Sequence, residues 1–229
     1  MPRGLNHVAV SGLVGKIYAY GGFIEQNRNA VADAFEYDVA QDRWRDLAPL
    51  PQKRGAAAAV ALDGRLHLIG GRDAVSVGTH QVYDPALNRW SARALLPRGR
   101  DHLGPVVIDG RIHAVGGRFN TFEFNTDLHD IYDAAADAWR SLAPPPTARS
   151  GVAAAVLAGR LFVFGGERAG GVFIENEACD PRSDRWSTMT PMRTPRHGTG
   201  AAVVARRSIP AGGLTNWAAA PPPRTRHPC

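Results

Sequence analysis

The chain has 229 residues, with 27 basic against 21 acidic side chains, a formal charge of +6 and 44% hydrophobic residues. That apolar fraction can fill a core, yet no run approaches the roughly 18 consecutive apolar residues of a membrane-spanning helix, which excludes a helical anchor. Two cysteines, Cys179 and Cys229, are too few for a disulfide framework.

In chain order the predicted elements are short strands that recur. After Leu5-Asn6-His7 come an apolar run, a turn at Val14-Gly15, and a second run ending at the pair Gly21-Gly22. A variable stretch leads to Tyr37-Asp38, and Trp44 follows six residues beyond that aspartate. The next unit opens at Arg54 and repeats the order: an apolar run, the hairpin signal Asp63-Gly64, Gly70-Gly71, Tyr83-Asp84 and Trp90. A third runs from Arg100 through Asp109-Gly110, Gly116-Gly117 and Tyr132-Asp133 to Trp139. A fourth runs from Arg149 through Ala158-Gly159, Gly165-Gly166 and Cys179-Asp180 to Trp186. Only the stretch between glycine pair and aspartate changes length, so it is predicted to be a surface loop. Pro-rich links such as Pro144-Pro145-Pro146 join the units, because proline cannot serve a central ladder. A unit of four antiparallel strands cannot bury both faces alone; units must stack, and radial stacking makes a propeller.

The glycine pair, the Tyr-Asp, the Trp and the Arg together resemble the kelch repeat, across about residues 5 to 204. The resemblance implies an all-β, kelch-type β-propeller: four complete four-stranded blades, about 5–53, 54–99, 100–148 and 149–195, plus a partial fifth over 196–213, with the ring possible as an open one. Families of this fold bind proteins, act as adaptors, or in some cases act on sugars. Gly21, Gly22, Gly70, Gly71, Gly116, Gly117, Gly165 and Gly166 are expected to permit positive φ and close strand approach. Trp44, Trp90, Trp139 and Trp186 are expected between blades, and each motif aspartate is expected to cap a turn.

The candidate binding residues are Arg54, Arg100, Arg149 and Arg196, with His102, Ser150 and His197 beside them. They precede the innermost strands and are expected to ring one mouth of the channel; kelch adaptor domains that bind acidic peptides use arginines at matching positions. Guanidinium groups converging there would take a carboxylate bidentately. A structural pairing of each Arg with a nearby carboxylate is the competing expectation. An acidic protein segment is therefore the expected partner, in a protein-binding module whose ligand face also carries the variable loops 23–33, 72–79, 118–127 and 167–175. Carbohydrate is the alternative, because Phe119, Phe122, Phe124 and Phe173 lie on the variable loops; the resemblance would then imply a carbohydrate-active or carbohydrate-binding propeller similar to galactose oxidases or sialic-acid epimerases.

Other chemistries find less support. Much of the positive charge sits near the C-terminus, without basic runs or a stacking platform elsewhere, which argues against nucleic acid. His67 and His113 share one repeat slot and His80 and His129 another, so they read as strand residues. His102 and His197 lack a third ligand, so no metal or other cofactor is expected. Copper sugar oxidases of this fold use a Cys joined to a Tyr; here Cys179 merely replaces the strand tyrosine. No catalytic set is assigned, and no membrane partner is expected.

The pattern fails after Val204: Pro210 is expected to spoil the second strand of the fifth unit, and residues 214–229 are expected to form a disordered Ala/Pro/Arg-rich tail. A truncated or frame-shifted product is the expectation this break suggests. The compartment is left open: cytoplasmic if Met1 is the natural start, exported if a signal precedes it.

Overall fold

A computed structural model describes residues 1–204 and 207–211. The first unit contains β1 (Ala9–Leu13), β2 (Lys16–Tyr20), a small hairpin of β3 (Phe23–Glu25) and β4 (Arg28–Ala30), then β5 (Ala34–Asp38) and β6 (Arg43–Asp46). The second contains β7 (Ala58–Leu62), β8 (Arg65–Ile69), β9 (His80–Asp84) and β10 (Arg89–Arg93). The third contains β11 (Gly104–Ile108), β12 (Arg111–Val115), β13 (His129–Asp133) and β14 (Ala138–Ser141). The fourth contains β15 (Ala153–Leu157), β16 (Arg160–Phe164), a hairpin of β17 (Glu167–Arg168) and β18 (Gly171–Val172), then β19 (Asn176–Asp180) and β20 (Arg185–Thr188). A fifth begins with β21 (Gly200–Val204) and β22 (Arg207–Ala211).

Each complete unit is one antiparallel sheet: β1-β2-β5-β6, β7-β8-β9-β10, β11-β12-β13-β14 and β15-β16-β19-β20. The four inner hairpins turn through Val14-Gly15, Asp63-Gly64, Asp109-Gly110 and Ala158-Gly159. Every one of these residues has positive φ, as a type I′ turn requires. At the outer turns Asp38, Asp84 and Asp133 each accept two backbone N–H bonds through Oδ1, as expected of the motif aspartate.

Two expectations need correction. β22 pairs with β21 along its length, Ala201 opposite Pro210, so the proline does not prevent the hairpin. No third strand lies beside β22 among the described residues, and an edge strand tolerates a missing amide. The variable stretches are also not plain loops: the first and fourth fold into the β3-β4 and β17-β18 hairpins, and the third contains a 3₁₀ turn, Phe122–Phe124. Residues 214–229 lie outside the described part.

The sheets are blades whose innermost strands adjoin in the order β1, β7, β11, β15, β21. β21 and β1 make no comparable contact among the described residues, so the described part of the ring is open. The cores lie between blades. Tyr18 and Tyr20 of the first meet Leu66, Leu68 and Tyr83 of the second; Leu62 and Ile69 of the second meet Ile112 and Tyr132 of the third. Val106 and Val115 of the third meet Leu161 and Cys179 of the fourth. Each seam is pinned by indole: Trp90 Nε1 donates to Ala48 O, Trp139 Nε1 to Ala94 O and Trp186 Nε1 to Ala143 O, at 2.8 to 2.9 Å. Trp44 instead packs within its own blade, against Phe35 and Tyr37.

The fixed distance between Arg and glycine pair has a direct cause. The second glycine of each pair donates its N–H to the carbonyl of the Arg that opens the following unit: Gly22 to Arg54, Gly71 to Arg100, Gly117 to Arg149, Gly166 to Arg196. The first glycine lies so close to the same carbonyl that a Cβ on Gly116 would stand 2.6 Å from Arg149 O.

Candidate functional site

Two residues beyond each Arg slot, the chain turns inward with left-handed backbone at His7, Ala56, His102, Gly151 and Gly198, φ 52 to 62°. These residues are stitched to one another around the axis. Ala56 N–H donates to His7 O, His102 N–H to Ala56 O, Gly151 N–H to His102 O and Gly198 N–H to Gly151 O, at 2.9 to 3.0 Å. Non-glycine residues in this conformation cost on the order of 1 kcal/mol or more each. The belt of hydrogen bonds holds His7 and His102 there, and so fixes their direction at the channel mouth.

A concavity of about 660 Å³ opens over this belt, lined among others by Asn6, His7, Asn27, Ala57, His102, Arg118, Phe122, Val152, Glu167 and His197. Its floor is a polar network. Arg118, the residue after Gly117, donates from Nε to Asp101 Oδ1 at 3.2 Å, from Nη1 to Glu167 Oε1 at 2.5 Å and to Ser150 Oγ at 3.4 Å. Arg118 Nη2 lies 3.1 Å from His102 Nε2, and His102 Nδ1 lies 2.5 Å from Asp101 Oδ1. His197 Nδ1 lies 2.9 Å from Glu167 Oε2, and Ser76 Oγ donates to Asp101 Oδ2. The Phe122 ring lies 4.3 Å from the Arg118 guanidinium carbon, and the His7 ring meets His102 edge-on at 4.9 Å.

Burial and charge set the protonation states. Burial pushes Asp101 and Glu167 upward, but hydrogen bonds from His102 and Ser76 to the one and from His197 to the other, with the Arg118 charge, outweigh it and hold both carboxyls below their usual range. Burial lowers His7 to about 4 and also lowers His102, so both are neutral at pH 7. Among the described residues, three polar atoms around the concavity have no hydrogen-bond partner: His7 Nδ1, Asn27 Oδ1 and His197 Nε2.

The sequence-selected residues fall into two groups. His102, His197 and Ser150 belong to this network. Arg54, Arg100 and Arg149 do not line the concavity; their side chains are buried within their own blades. Arg100 donates to Gly116 O and Ala114 O, and its Nη1 is 2.8 Å from Asp130 Oδ2, an ion pair more than an aligned hydrogen bond. Arg149 donates to Gly165 O, Glu175 O, Val163 O and Glu177 Oε2. Arg54 reaches only Leu68 O, at 3.5 Å, with Nε and Nη1 unpartnered. In this arrangement Arg100 and Arg149 are engaged by carbonyls and a carboxylate of their own blades, as the competing expectation of structural pairing holds. Arg196 is half-buried. Sequence reasoning did not select His7 or Asp101, and it held Arg118 and Glu167 only as the first residues of variable loops expected on the ligand face. Part of the signal was present: the residue after the glycine pair reads Phe23, Arg72, Arg118, Glu167 and the residue after the Arg slot reads Asn6, Gly55, Asp101, Ser150, so these slots vary where the motif residues do not. The loop aromatics also mostly pack inward. Phe173 is buried beneath Arg168 and Phe119 lies beneath Arg98, while Phe124 is exposed away from the concavity.

Four antiparallel blades stacked by their inner strands and pinned by tryptophan define a kelch-type β-propeller. The comparisons agree: the family model for the kelch motif matches residues 6–51 and 148–193. The kelch-like protein terF of Aspergillus terreus is 41% identical over 76 residues, 31% of this chain and 17% of that protein. Human Kelch-like protein 33 is 35% identical over 72 residues, 31% of this chain and 14% of that protein. The N-acetylneuraminate epimerase of Pasteurella multocida is 32% identical over 71 residues, 29% and 19% respectively. The structure of YjhT superposes with a TM-score of 0.80 at 18% identity, over 93% of this chain and 73% of that one. The chain carries kelch repeats. Its matches span less than a fifth of the length of these curated relatives.

Proposed function

We propose that this chain is a binding module whose ligand sits in the channel-mouth concavity and is a neutral, polyhydroxylated molecule of carbohydrate type. Kelch repeats commonly serve protein interaction, and a ring of free arginines at the mouth would suit an acidic protein segment. The floor of the concavity favours a different chemistry. One guanidinium, Arg118, is already shared between two carboxylates, Asp101 and Glu167, and the neighbouring His7 and His102 are neutral at pH 7. That balance repels an incoming carboxylate and suits hydroxyls, which both donate and accept.

The observation that carries the reading is the trio of unpartnered polar atoms, His7 Nδ1, Asn27 Oδ1 and His197 Nε2, around one concavity. Buried polar groups are nearly always satisfied, so three exceptions on one surface call for a hydrogen-bonding guest. The similarity to an epimerase named for N-acetylneuraminate supports a sugar-type ligand only in its hydroxyls, because that sugar carries a carboxylate which the charge balance here disfavours. A titration of the full chain with galactose, N-acetylglucosamine and a Glu-rich peptide, followed by calorimetry or ligand-detected NMR, tests it. The expected result is saturable sugar binding that His7→Ala or His197→Ala weakens about tenfold or more, one hydrogen bond to a buried partner being worth about 1 to 1.5 kcal/mol. Tight binding of the peptide with no response to the sugars would overturn the proposal in favour of a protein partner.

A further inference from the structure

We propose that the seam between the third and fourth blades is a metal site of the zinc class, built from His129, Cys179 and Asp184, with His113 behind it. The three ligand atoms already lie within 4.8 Å of one another. In a tetrahedral zinc site the donor atoms stand about 3 to 4 Å apart, so closing on an ion asks for shifts of the order of 1 Å. A histidine nitrogen, a thiolate and a carboxylate are the donors zinc takes, and together they leave one position for water.

The neighbouring seam shows why this one is different. Between the second and third blades the same slots hold His80, Tyr132 and Asp137, and the Tyr132 hydroxyl donates to Asp137 Oδ1 at 2.6 Å. Between the first and second, the Tyr83 hydroxyl donates to Asn88 Oδ1. The fourth blade has Cys179 where the tyrosine stands, so Asp184 has no phenol and faces a buried sulfur instead. Both Asp184 oxygens rest 3.0 to 3.1 Å from Ala143 N, leaving lone pairs available on the other side.

His113 supplies the support a metal-bound histidine needs. His113 Nδ1 lies 2.9 Å from His129 Nε2, and His129 Nδ1 lies 3.3 Å from Ala143 O. If His129 binds through Nδ1, the proton moves to Nε2 and is donated to His113 Nδ1, which orients the ring in the manner of outer-shell partners. Ala143 O is not orphaned by this, because Trp186 Nε1 also donates to it. The Cys179 thiol gives up its proton to solvent as the metal–sulfur bond forms, and no electron transfer is involved. Asp184 is only half-buried and gives the ion a path into the seam.

The test uses the full, untagged, reduced chain after removal of metal by a chelator. Cobalt(II) is the optical probe: one equivalent should produce a sulfur-to-cobalt absorption band in the near ultraviolet, displaced by zinc. Zinc in hundredfold excess over its dissociation constant should raise Tm by about 5 to 10 °C. Cys179→Ser, which keeps size, should abolish the band and the zinc-dependent rise, whereas Cys229→Ser should keep both. His113→Phe, which installs the side chain that the fourth blade uses at the same slot, should weaken binding about 10- to 100-fold. A folded wild type that gives no such band, or a band that survives Cys179→Ser, would overturn the site.

Discussion

The seams between blades and the mouth of the channel are made from the same repeat, yet they use it in opposite ways. At the seams one residue type holds one job in unit after unit: indole to a carbonyl, tyrosine to the residue five places on, glycine against the next arginine's carbonyl. At the mouth the slots vary from unit to unit, and Asp101, His102, Arg118, Glu167 and His197 form a network that occurs once among the described residues. Repetition marks what the fold needs at each wedge; the break in repetition marks what a ligand needs at one place.

The buried arginines sharpen that contrast most. Arg100 has Asp130 and Arg149 has Glu177, but in the second blade the equivalent slot holds Gln81, and Arg54 keeps two unpartnered nitrogens. Burial accordingly lowers Arg54 to about 10. Asp130→Ala is expected to cost about 3 to 5 kcal/mol in denaturant unfolding, because it strands a buried charge. Gln81→Glu is expected to do the reverse for Arg54 and raise the unfolding midpoint. A neutral result for both would mean that the carbonyls alone satisfy the guanidinium.

A smaller effect separates two glycines with positive φ. Gly116→Ala places a methyl 2.6 Å from Arg149 O, whereas Gly110→Ala meets nothing within 4 Å. The first is expected to lose about 3 kcal/mol and the second about 1 kcal/mol, the cost of the left-handed backbone itself. Equal losses would deny the glycine pair its role as the socket for the following blade.

The effect that vanishes at neutral pH is a pH dependence. His67 and His80 are neutral and buried in the second blade, 2.9 Å apart, and burial lowers them from 6.5 to about 4 and about 3. The unfolded chain therefore binds these protons first on acidification. Their contribution to stability is complete above pH 6.5 and is lost progressively as pH falls from 6.5 to about 4 for His67 and to about 3 for His80. His67→Phe with His80→Asn, the residues of the fourth blade at those slots, is expected to flatten the slope of unfolding free energy between pH 6.5 and 4. An unchanged slope would show that other groups carry it.

The blades were legible because hairpin turns and interblade glycines leave fixed spacings. Asp63-Gly64 and Gly70-Gly71 announce their conformations, and Trp90 its seam. Long-range choices were not. Nothing local says that Arg149 folds back onto Val163 O and Glu177 instead of outward, and the sequence distance from Arg118 to Glu167 hides a 2.5 Å ion pair. Pro210 misled in the other direction, since its harm depends on whether a third strand lies beside it. The meeting of His129, Cys179 and Asp184 joins two blades, and no spacing in either one reveals it.

The most direct measurement compares sugar binding and thermal melting in two variants, Arg149→Lys and His197→Ala. The account expects Arg149→Lys to melt lower while its sugar affinity is kept, and His197→Ala to lose affinity with little change in melting. Lost binding in Arg149→Lys at unchanged Tm, together with full binding in His197→Ala, would return the ligand to the arginine ring and contradict the account.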